Sequence, residues 1–185
     1  SYKYLNSGPG SVAGAFIHER HVNNPSLTRL AGWCGTKKEK RFKMEKTFDP
    51  IPTAEGCQLS TTPLLNMSSH RASREIFEEA GFKNMIAKMK KLSAYLFFIL
   101  DEINACCPQQ VIEIITPRDE KEHGCQLSMF MLEKGKEIFE SLKQNTVIVD
   151  WREPNVIRLA PTPLYNTFED VYKFGEIASS IVVKK

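Results

Sequence analysis

The sequence predicts an α/β chain in which a loop-rich first part is followed by two helices and a small α+β domain. Glycine and proline are concentrated before residue 64, and small and apolar residues then recur at helical spacing. After Pro108, short apolar runs alternate with helical patterns. A chain of 185 residues, 42% hydrophobic and 25% charged, suits one soluble domain, or one domain and part of another.

Residues 1–63 are predicted to form loops and short strands. The segments SGPGSVAG, AGWCG and FDPIP contain the glycines and prolines that favour turns. Brief apolar stretches such as VAGAFI separate these turns, and we interpret them as the short strands.

Two helices are predicted next. The first has small and apolar residues near helical spacing, at Leu64, Leu65, Ser68, Ala72, Ile76, Phe77 and Ala80. Gly81 suits the end of this helix, and the second helix is predicted from Phe82 to about Ala105. The second helix contains the longest apolar stretch, Ala94 to Leu100, which is much too short to cross a bilayer and indicates a buried helix segment.

The remainder of the chain predicts the order β-β-α-β-β-α. The predicted strands cover residues 111–116, 124–132, 146–151 and 155–161, and the predicted helices cover 135–145 and 167–182. Asn166 is predicted to cap the last helix, with Glu169 at the third helical position. Strands joined by short loops and covered by helices on one face form a small α+β domain.

Charge and composition argue against several classes of protein. The formal net charge of +3 is small and the basic residues are scattered, so no nucleic-acid partner is expected. The N-terminal SYKYLNSGPG lacks the pattern of a signal peptide, so secretion is not expected. The longest apolar stretch is too short to cross a bilayer, so no membrane partner is expected. Five cysteines with a single adjacent pair suit neither a disulfide framework nor a zinc site. We therefore expect a reducing, cytoplasmic location.

The segment SYKYLNSGPGSVAGAF places Lys3 between two tyrosines and before a run of small residues. Small residues let a backbone approach a ligand closely. A lysine at a strand end beside a glycine-rich loop is typical of one that binds a cofactor covalently. On this pattern alone, a solvated lysine near a terminus is the more common alternative.

This segment, extended through HERH, resembles the cofactor-lysine segment of kynureninases. The similarity continues in family order through AGWCGTKKEKRFKM, FDPIPTAEGCQLSTTP, HGCQLSM and NVIRLAPTPLYNTFEDVYKF. The resemblance implies a pyridoxal-phosphate enzyme of the aspartate-aminotransferase-like class, whose members are usually homodimers. It implies that residues 1–70 end the large cofactor-binding domain and that residues 71–185 form the small C-terminal domain.

The resemblance also implies a reaction. The substrate would be a small amino acid, L-kynurenine or its 3-hydroxy derivative, hydrolysed to anthranilate or 3-hydroxyanthranilate and L-alanine. This hydrolysis belongs to tryptophan catabolism and NAD biosynthesis. The cofactor would be pyridoxal 5′-phosphate, whose protonated pyridine ring withdraws electrons from the bond that breaks.

Site residues follow from the same resemblance. Lys3 would hold the cofactor and then move the α-proton, which needs a lysine of lowered pKa. Tyr2 would hydrogen-bond the cofactor phosphate and relay a proton, although a packed aromatic is an open alternative. Trp33 would donate its indole N–H to the phosphate from a glycine-flanked loop. Arg158 would bind the substrate α-carboxylate through its planar guanidinium.

Two motifs depart from the family pattern. Kynureninases commonly carry GWxGH with an aromatic at x, whereas this chain has Cys34 at x and Thr36 at the histidine position. They commonly carry SNPP, whereas residues 60–63 are STTP. The resemblance places Thr36, Ser60 and Thr61 at the substrate, and Thr61 also at the cofactor. The shorter threonines predict a shift in specificity for the substrate ring.

The remaining candidates have simpler interpretations. His18 and His21 in HERH lack the spacing of the HExxH motif, so no metal is predicted. Cys106 and Cys107 are predicted to be buried at a helix end. The lysine-rich stretches KKEKRFK and KMKK are interpreted as solvated faces.

The chain begins at Ser1 and runs straight into motif-like sequence, so we expect it to be the C-terminal part of a longer protein and to be inactive alone. The resemblance implies that further cofactor ligands lie upstream. Two alternatives stay open. One is a related pyridoxal-phosphate enzyme acting on a different β-acyl amino acid, and the other is a non-catalytic fragment that serves as a dimerisation module.

Overall fold

A computed structural model describes residues 1–183. The chain divides into two compact units, of which the first covers Ser1–Glu79 and the second begins at Ala80. The predicted domain boundary after residue 70 stays a prediction.

The first unit consists of loops and helical segments, namely α1 (Glu19–Val22), a 3-10 helix (Ala54–Cys57) and α2 (Leu64–Ala80). Its described residues contain one isolated β-bridge, between Thr36 and Pro50. The predicted short strands within residues 1–63 are therefore wrong, including the one at VAGAFI, where Phe16 is 88% exposed. A strand needs a partner for its backbone groups, and these stretches find none within the unit.

The two predicted long helices are confirmed as α2 and α3 (Phe82–Ala105). Gly81 lies between them with a φ of 77°, a left-handed conformation that glycine adopts without steric cost. The apolar stretch from Ala94 to Leu100 is a helix segment of α3 that buries Leu96, Phe97 and Leu100, as predicted.

The second unit contains a four-stranded antiparallel sheet. Its strands are β1 (Ile112–Ile114), β2 (Leu127–Met131), β3 (Asp150–Arg152) and β4 (Val156–Leu159). Their order in the sheet is β1-β2-β4-β3. Together with α4 (Gly135–Gln144) and α5 (Phe168–Val182), they confirm the predicted sequence β-β-α-β-β-α.

The strands are shorter than predicted. The third strand was expected from residue 146 but begins at Asp150, because the chain leaves α4 through a turn. Thr146 has a φ of 63°, and its N–H donates to the Lys143 carbonyl at 3.1 Å. The Val147 N–H donates to the Leu142 carbonyl at 3.0 Å, which satisfies another carbonyl at the helix end.

The core of the second unit joins one face of the sheet to α3, α4 and α5. Along β2 the residues alternate, with Leu127, Met129 and Met131 buried. Along β4, Ile157 and Leu159 are buried, which turns Arg158 towards the other face of the sheet. Each such buried side chain stabilises the fold by about 1.5–3 kcal/mol.

The predicted N-cap of α5 is wrong by one residue. Thr167 is the N-cap, and its hydroxyl accepts the Asp170 N–H at 3.2 Å while the Asp170 carboxylate accepts the Thr167 N–H at 2.8 Å. This capping box places Glu169 at the second helical position. Asn166 accepts the Thr162 N–H at 2.9 Å and closes the preceding turn.

Candidate active site

Tyr2 and Lys3 lie on an exposed turn at the start of the first unit. The Asn6 N–H donates to the Lys3 carbonyl at 2.8 Å, so the predicted position of Lys3 at a strand end is wrong. The Lys3 Nζ lies 5.7 Å from the centre of the Tyr2 ring. Within residues 1–183 the Lys3 ammonium makes no hydrogen bond or ion pair. The amine is therefore accessible to a reactive carbonyl.

One face of α2 holds the backbone of the Lys3 segment. Positions 66, 69 and 73 lie on the same side of an α-helix. Their side chains donate to carbonyls of the segment, Asn66 to Gly10, Ser69 to Ser7 and Ser73 to Leu5. The rings of Tyr4 and Phe77 lie with their centroids 6.1 Å apart. The turn that carries Lys3 is therefore anchored to a regular helix immediately after the lysine.

Trp33 lies in a turn, here called the tryptophan turn (residues 32–36), which agrees with its predicted loop position. Arg41 covers this turn, with its Cζ 4.7 Å from the centre of the indole ring. The Arg41 Nη2 donates to the carbonyls of Cys34 at 2.9 Å and Thr36 at 3.3 Å. Trp33 is 51% exposed, and among the described residues its indole N–H has no hydrogen-bond partner. Arg41 thus stabilises the tryptophan turn, and the Trp33 indole N–H stays available to a ligand.

Two glycines bring the tryptophan turn against the segment that leads to Ser60. A Cβ placed on Gly32 would lie 2.4 Å from the Leu59 Cα, and one on Gly35 would lie 2.8 Å from the Gly56 carbonyl oxygen. Side chains do not tolerate such distances from backbone atoms, so only glycine permits this approach. The turn and the Ser60 segment therefore belong to one local site.

The three polar residues predicted at the substrate differ in their availability. The Thr36 hydroxyl donates to the Gly32 carbonyl at 3.1 Å, so it retains only its capacity to accept. Ser60 and Thr61 are exposed, and their hydroxyls make no hydrogen bond to the described part of the chain. Ser60 and Thr61 are thus the freer donors.

The tryptophan turn borders a cleft of about 300 Å³ that Trp33 and Arg41 line. Asp49 lies on the same cleft and pairs with Lys37 and Lys40, each at 2.9 Å. Hydrogen bonds from Lys37 and then Lys40 hold the pKa of Asp49 below its usual value, and Asp49 in turn raises the pKa of Lys40. In KKEKRFK, the residues Lys37, Lys40 and Arg41 are partly exposed and make these contacts, whereas positions 38, 39, 42 and 43 are exposed, as expected for a solvated face.

Arg158 lies on β4 in the second unit, directly opposite Asp150 of β3. Its side chain is 29% exposed, and its Nη2 donates to the Asp150 carboxylate. Its Nε is buried without a hydrogen-bond partner. A guanidinium has five N–H donors, so Arg158 retains donors for a second anion.

Comparison with known proteins shows the family of this chain. Residues 85–177, half of the chain, match the family of the kynureninase C-terminal domain. The chain belongs to the kynureninase family. The kynureninases of Flavobacterium psychrophilum and Flavobacterium johnsoniae are 51% identical over 177 residues and 50% identical over 185 residues. These matches cover 96% and 100% of this chain but 41% and 43% of the relatives, so the chain spans about two fifths of their length.

Solved structures share the kynureninase-family fold at low sequence identity. An apo cysteine desulfurase from Thermococcus onnurineus NA1 has a TM-score of 0.63 at 14% identity, with 85% of this chain and 39% of that chain covered. A C-DES mutant with glycine covalently linked to its PLP cofactor has a TM-score of 0.56 at 13% identity, with 82% and 37% covered. The predicted fold class is confirmed, namely the end of an aspartate-aminotransferase-like large domain followed by a small α+β domain.

The structure of this kynureninase-family chain groups the predicted site residues. The tryptophan turn and the segment it contacts contain Trp33, Thr36, Ser60 and Thr61. The segment held by α2 contains Tyr2 and Lys3. Arg158 lies in the second unit. Their individual roles stay predictions.

The roles of Arg41 and Asp150 were not predicted from the sequence. The signal for Arg41 was a lone arginine in a basic stretch shortly after a glycine-flanked tryptophan. The signal for Asp150 was an acidic residue in the strand predicted before Arg158. Neither pattern determines a contact, because both contacts depend on the exact turn or register between the partners.

Other predicted features have no role in the site. Within residues 1–183 no group of three or more side chains is arranged to hold a metal, and no helix has the length and apolar character needed for a membrane crossing. Cys106 is exposed and Cys107 only partly buried, so their predicted burial is wrong for Cys106. Burial raises the pKa of the Cys107 thiol.

Proposed function

We propose that the complete protein hydrolyses L-kynurenine or 3-hydroxykynurenine to anthranilate or 3-hydroxyanthranilate and L-alanine. The match of residues 85–177 to the kynureninase C-terminal domain carries this proposal. The reaction breaks a carbon–carbon bond next to a ketone by hydrolysis and belongs to tryptophan catabolism and NAD biosynthesis. The protein would act in the cytoplasm as a homodimer, with pyridoxal 5′-phosphate as its cofactor.

The donors of the first unit fit pyridoxal phosphate. The Lys3 amine is exposed and unpaired among the described residues, as a covalent bond to an aldehyde requires. The Tyr2 hydroxyl and the Trp33 indole N–H are donors without a hydrogen-bond partner in the described chain, and the Thr61 hydroxyl is a third. Such donors suit a phosphate. When bound there, the cofactor would supply an electron sink for the substrate α-carbon.

Lys3 and Tyr2 would move protons in this site. Once released from the cofactor, the Lys3 Nζ would take the proton from the substrate α-carbon and return it later. The Tyr2 ring lies beside this amine, with Nζ 5.7 Å from the ring centre, and the Tyr2 hydroxyl would relay a proton.

Arg158 and three polar residues would orient the substrate. The Arg158 guanidinium, with a buried and unpartnered Nε, would bind the α-carboxylate. Ser60, Thr61 and Thr36 would contact the aromatic end. Because the Thr36 hydroxyl donates to the Gly32 carbonyl, it could only accept from the substrate.

That limited role of Thr36 favours a second candidate function, hydrolysis of a different β-acyl amino acid. A substrate ring that needs a donor at this position would leave a buried polar group unpaired. A substrate with a smaller or less polar acyl group would leave no such group unpaired.

Turnover by the intact, cofactor-loaded protein tests the proposal. We expect L-kynurenine or 3-hydroxykynurenine to yield L-alanine together with the corresponding fluorescent anthranilate. Equal amounts of both products would establish the hydrolysis. No turnover of either substrate by protein that holds the cofactor would contradict the proposal and favour the second candidate.

A further inference from the structure

The face of the sheet that carries Arg158 is polar around that residue. Ile157 and Leu159 point into the core, so the side chain between them points to the opposite face. On that face the strand register places Ser128 of β2 on one side of Arg158 and Asp150 of β3 on the other. Backbone pairing therefore fixes the position of the Asp150 carboxylate relative to the guanidinium.

The Asp150 carboxylate connects two arginines. Its Oδ2 accepts from the Arg158 Nη2, and its Oδ1 accepts from the Arg152 Nη1 at 2.8 Å. One negative charge thus lies between two positive charges, which leaves the group with a net positive charge. A further anion can approach Arg158 because Arg152 offsets part of the repulsion from Asp150.

The Arg158 guanidinium keeps donors that Asp150 does not engage, and its Nε is one of them. This Nε is buried and has no hydrogen-bond partner, although Asp150 lies close enough to engage Nη2. A buried N–H without an acceptor lowers stability, so such a group in a folded protein needs an explanation, and an acceptor supplied by a ligand is one. Asp150 therefore fixes one part of the guanidinium and leaves another part for a ligand.

We propose that Asp150 is a positioning residue that holds Arg158 so that its remaining N–H groups face the α-carboxylate of an amino-acid substrate. This inference rests on the proposed function for the choice of substrate and for the role of Arg158. Without the Asp150 charge, the long arginine side chain would lose its fixed direction and would have to be ordered when the substrate binds.

The test compares three variants of the intact, cofactor-loaded protein with the unchanged protein. Asp150→Asn keeps the shape and removes the charge, whereas Asp150→Glu keeps the charge and displaces it. The matched control is Glu113→Gln, an exposed carboxylate of β1 on the same face of the sheet. The measurements are KM and kcat for L-kynurenine, the dissociation constant of L-alanine by calorimetry, and the midpoint of thermal unfolding.

We expect Asp150→Asn to raise KM and the L-alanine dissociation constant by about tenfold, the effect of one charge-assisted hydrogen bond. We expect kcat to change by less than about threefold, because the carboxylate contact stabilises the bound substrate and the transition state equally, and its loss therefore affects KM. Asp150→Glu should show a smaller increase, and Glu113→Gln should match the unchanged protein.

If KM and the L-alanine dissociation constant are unchanged or lowered in Asp150→Asn and Asp150→Glu, the inference is wrong. Lowered values would mean that Asp150 competes with the substrate. Failure of L-alanine to bind the unchanged protein would overturn it as well. If the unchanged protein does not turn over L-kynurenine but its affinity for L-alanine still depends on Asp150, the proposed function is wrong and the inference stands.

Discussion

Lys3 is the residue on which the cofactor assignment depends. Its amine is exposed, and its backbone lies next to carbonyls that the side chains of α2 hold in place. An anchored backbone and an accessible side chain are the combination that covalent binding of an aldehyde needs, because the amine must be both placed and reachable.

Replacement of Lys3 by glutamine should abolish covalent cofactor binding in the intact protein. Glutamine has similar length but no nucleophilic amine. We therefore expect the loss of the visible absorbance band of the cofactor bound to the lysine, and a fall in turnover of at least about a thousandfold. The control is Lys38→Gln, which changes an exposed lysine of the same unit. If the Lys3 variant keeps both the band and the turnover, another residue holds the cofactor.

For single residues, the sequence predicted the local structure around a side chain better than the side chains that it contacts. The glycines around Trp33 indicated a loop, and residues 155–161 were predicted as a strand. The structure has a turn at Trp33 and places Arg158 on β4. The contact of Trp33 with Arg41 and that of Arg158 with Asp150 could not be predicted, because each bridges eight residues through a turn whose geometry the pattern leaves open.

Among the elements, α5 has the most distinct local signal at its start. Thr167 and Asp170 form a capping box, which satisfies two backbone N–H groups at the beginning of the helix. The N–H of Thr167, followed by its hydroxyl, holds the pKa of Asp170 below its usual value of 3.8. The charged form of Asp170 is therefore favoured in the folded chain.

This lowered pKa predicts how stability depends on pH. The contribution of Asp170 is complete above the unfolded-state pKa, near 3.8, and is lost as the pH falls through the lower folded-state pKa. Asp170→Asn should therefore reduce the free energy of unfolding at neutral pH, and the difference from the unchanged protein should shrink below about pH 3.8. Urea unfolding at several pH values measures this difference.

The control for that series is Glu102→Gln on the exposed side of α3, which should show a smaller effect at neutral pH because this carboxylate caps no helix. A difference for Asp170→Asn that is constant from neutral pH to well below pH 3.8 would contradict the role of the charged carboxylate.

Helices were predicted more accurately than strands because their signals are local. The bounds of α2 and α3 follow from apolar spacing and from Gly81 within a single stretch of sequence. A strand exists only if another strand pairs with it, and VAGAFI has no such partner in the first unit. The same dependence on pairing shortened the strand expected from residue 146, which begins only where β4 lies beside it.

On the scale of the whole molecule, the two units differ sharply in how much apolar surface they bury. Phe77 is the one large hydrophobic side chain buried among residues 1–79, whereas the second unit has a continuous core. A unit of this size with one buried large apolar residue has little to offset its conformational entropy. The kynureninases of the two Flavobacterium species are more than twice as long as this chain.

The 185-residue chain alone should therefore bind pyridoxal phosphate weakly and lack turnover. The Lys3, Tyr2 and Trp33 side chains are exposed in it, so few contacts would exclude water from the bound cofactor. Addition of the cofactor followed by an absorbance scan measures the effect, with the intact protein as the reference. A band as strong as that of the intact protein would show that these residues suffice.

The strand order β1-β2-β4-β3 has a consequence for self-association. The two outer strands, Ile112–Ile114 and Asp150–Arg152, are three residues long, and they carry the charges of Glu113, Asp150 and Arg152. Fibril growth needs a long, uncharged edge onto which a neighbouring chain can add its own strand. Because both edge strands are short and charged, the sheet should resist polymerisation into amyloid at concentrations where its buried strands, if exposed, would aggregate.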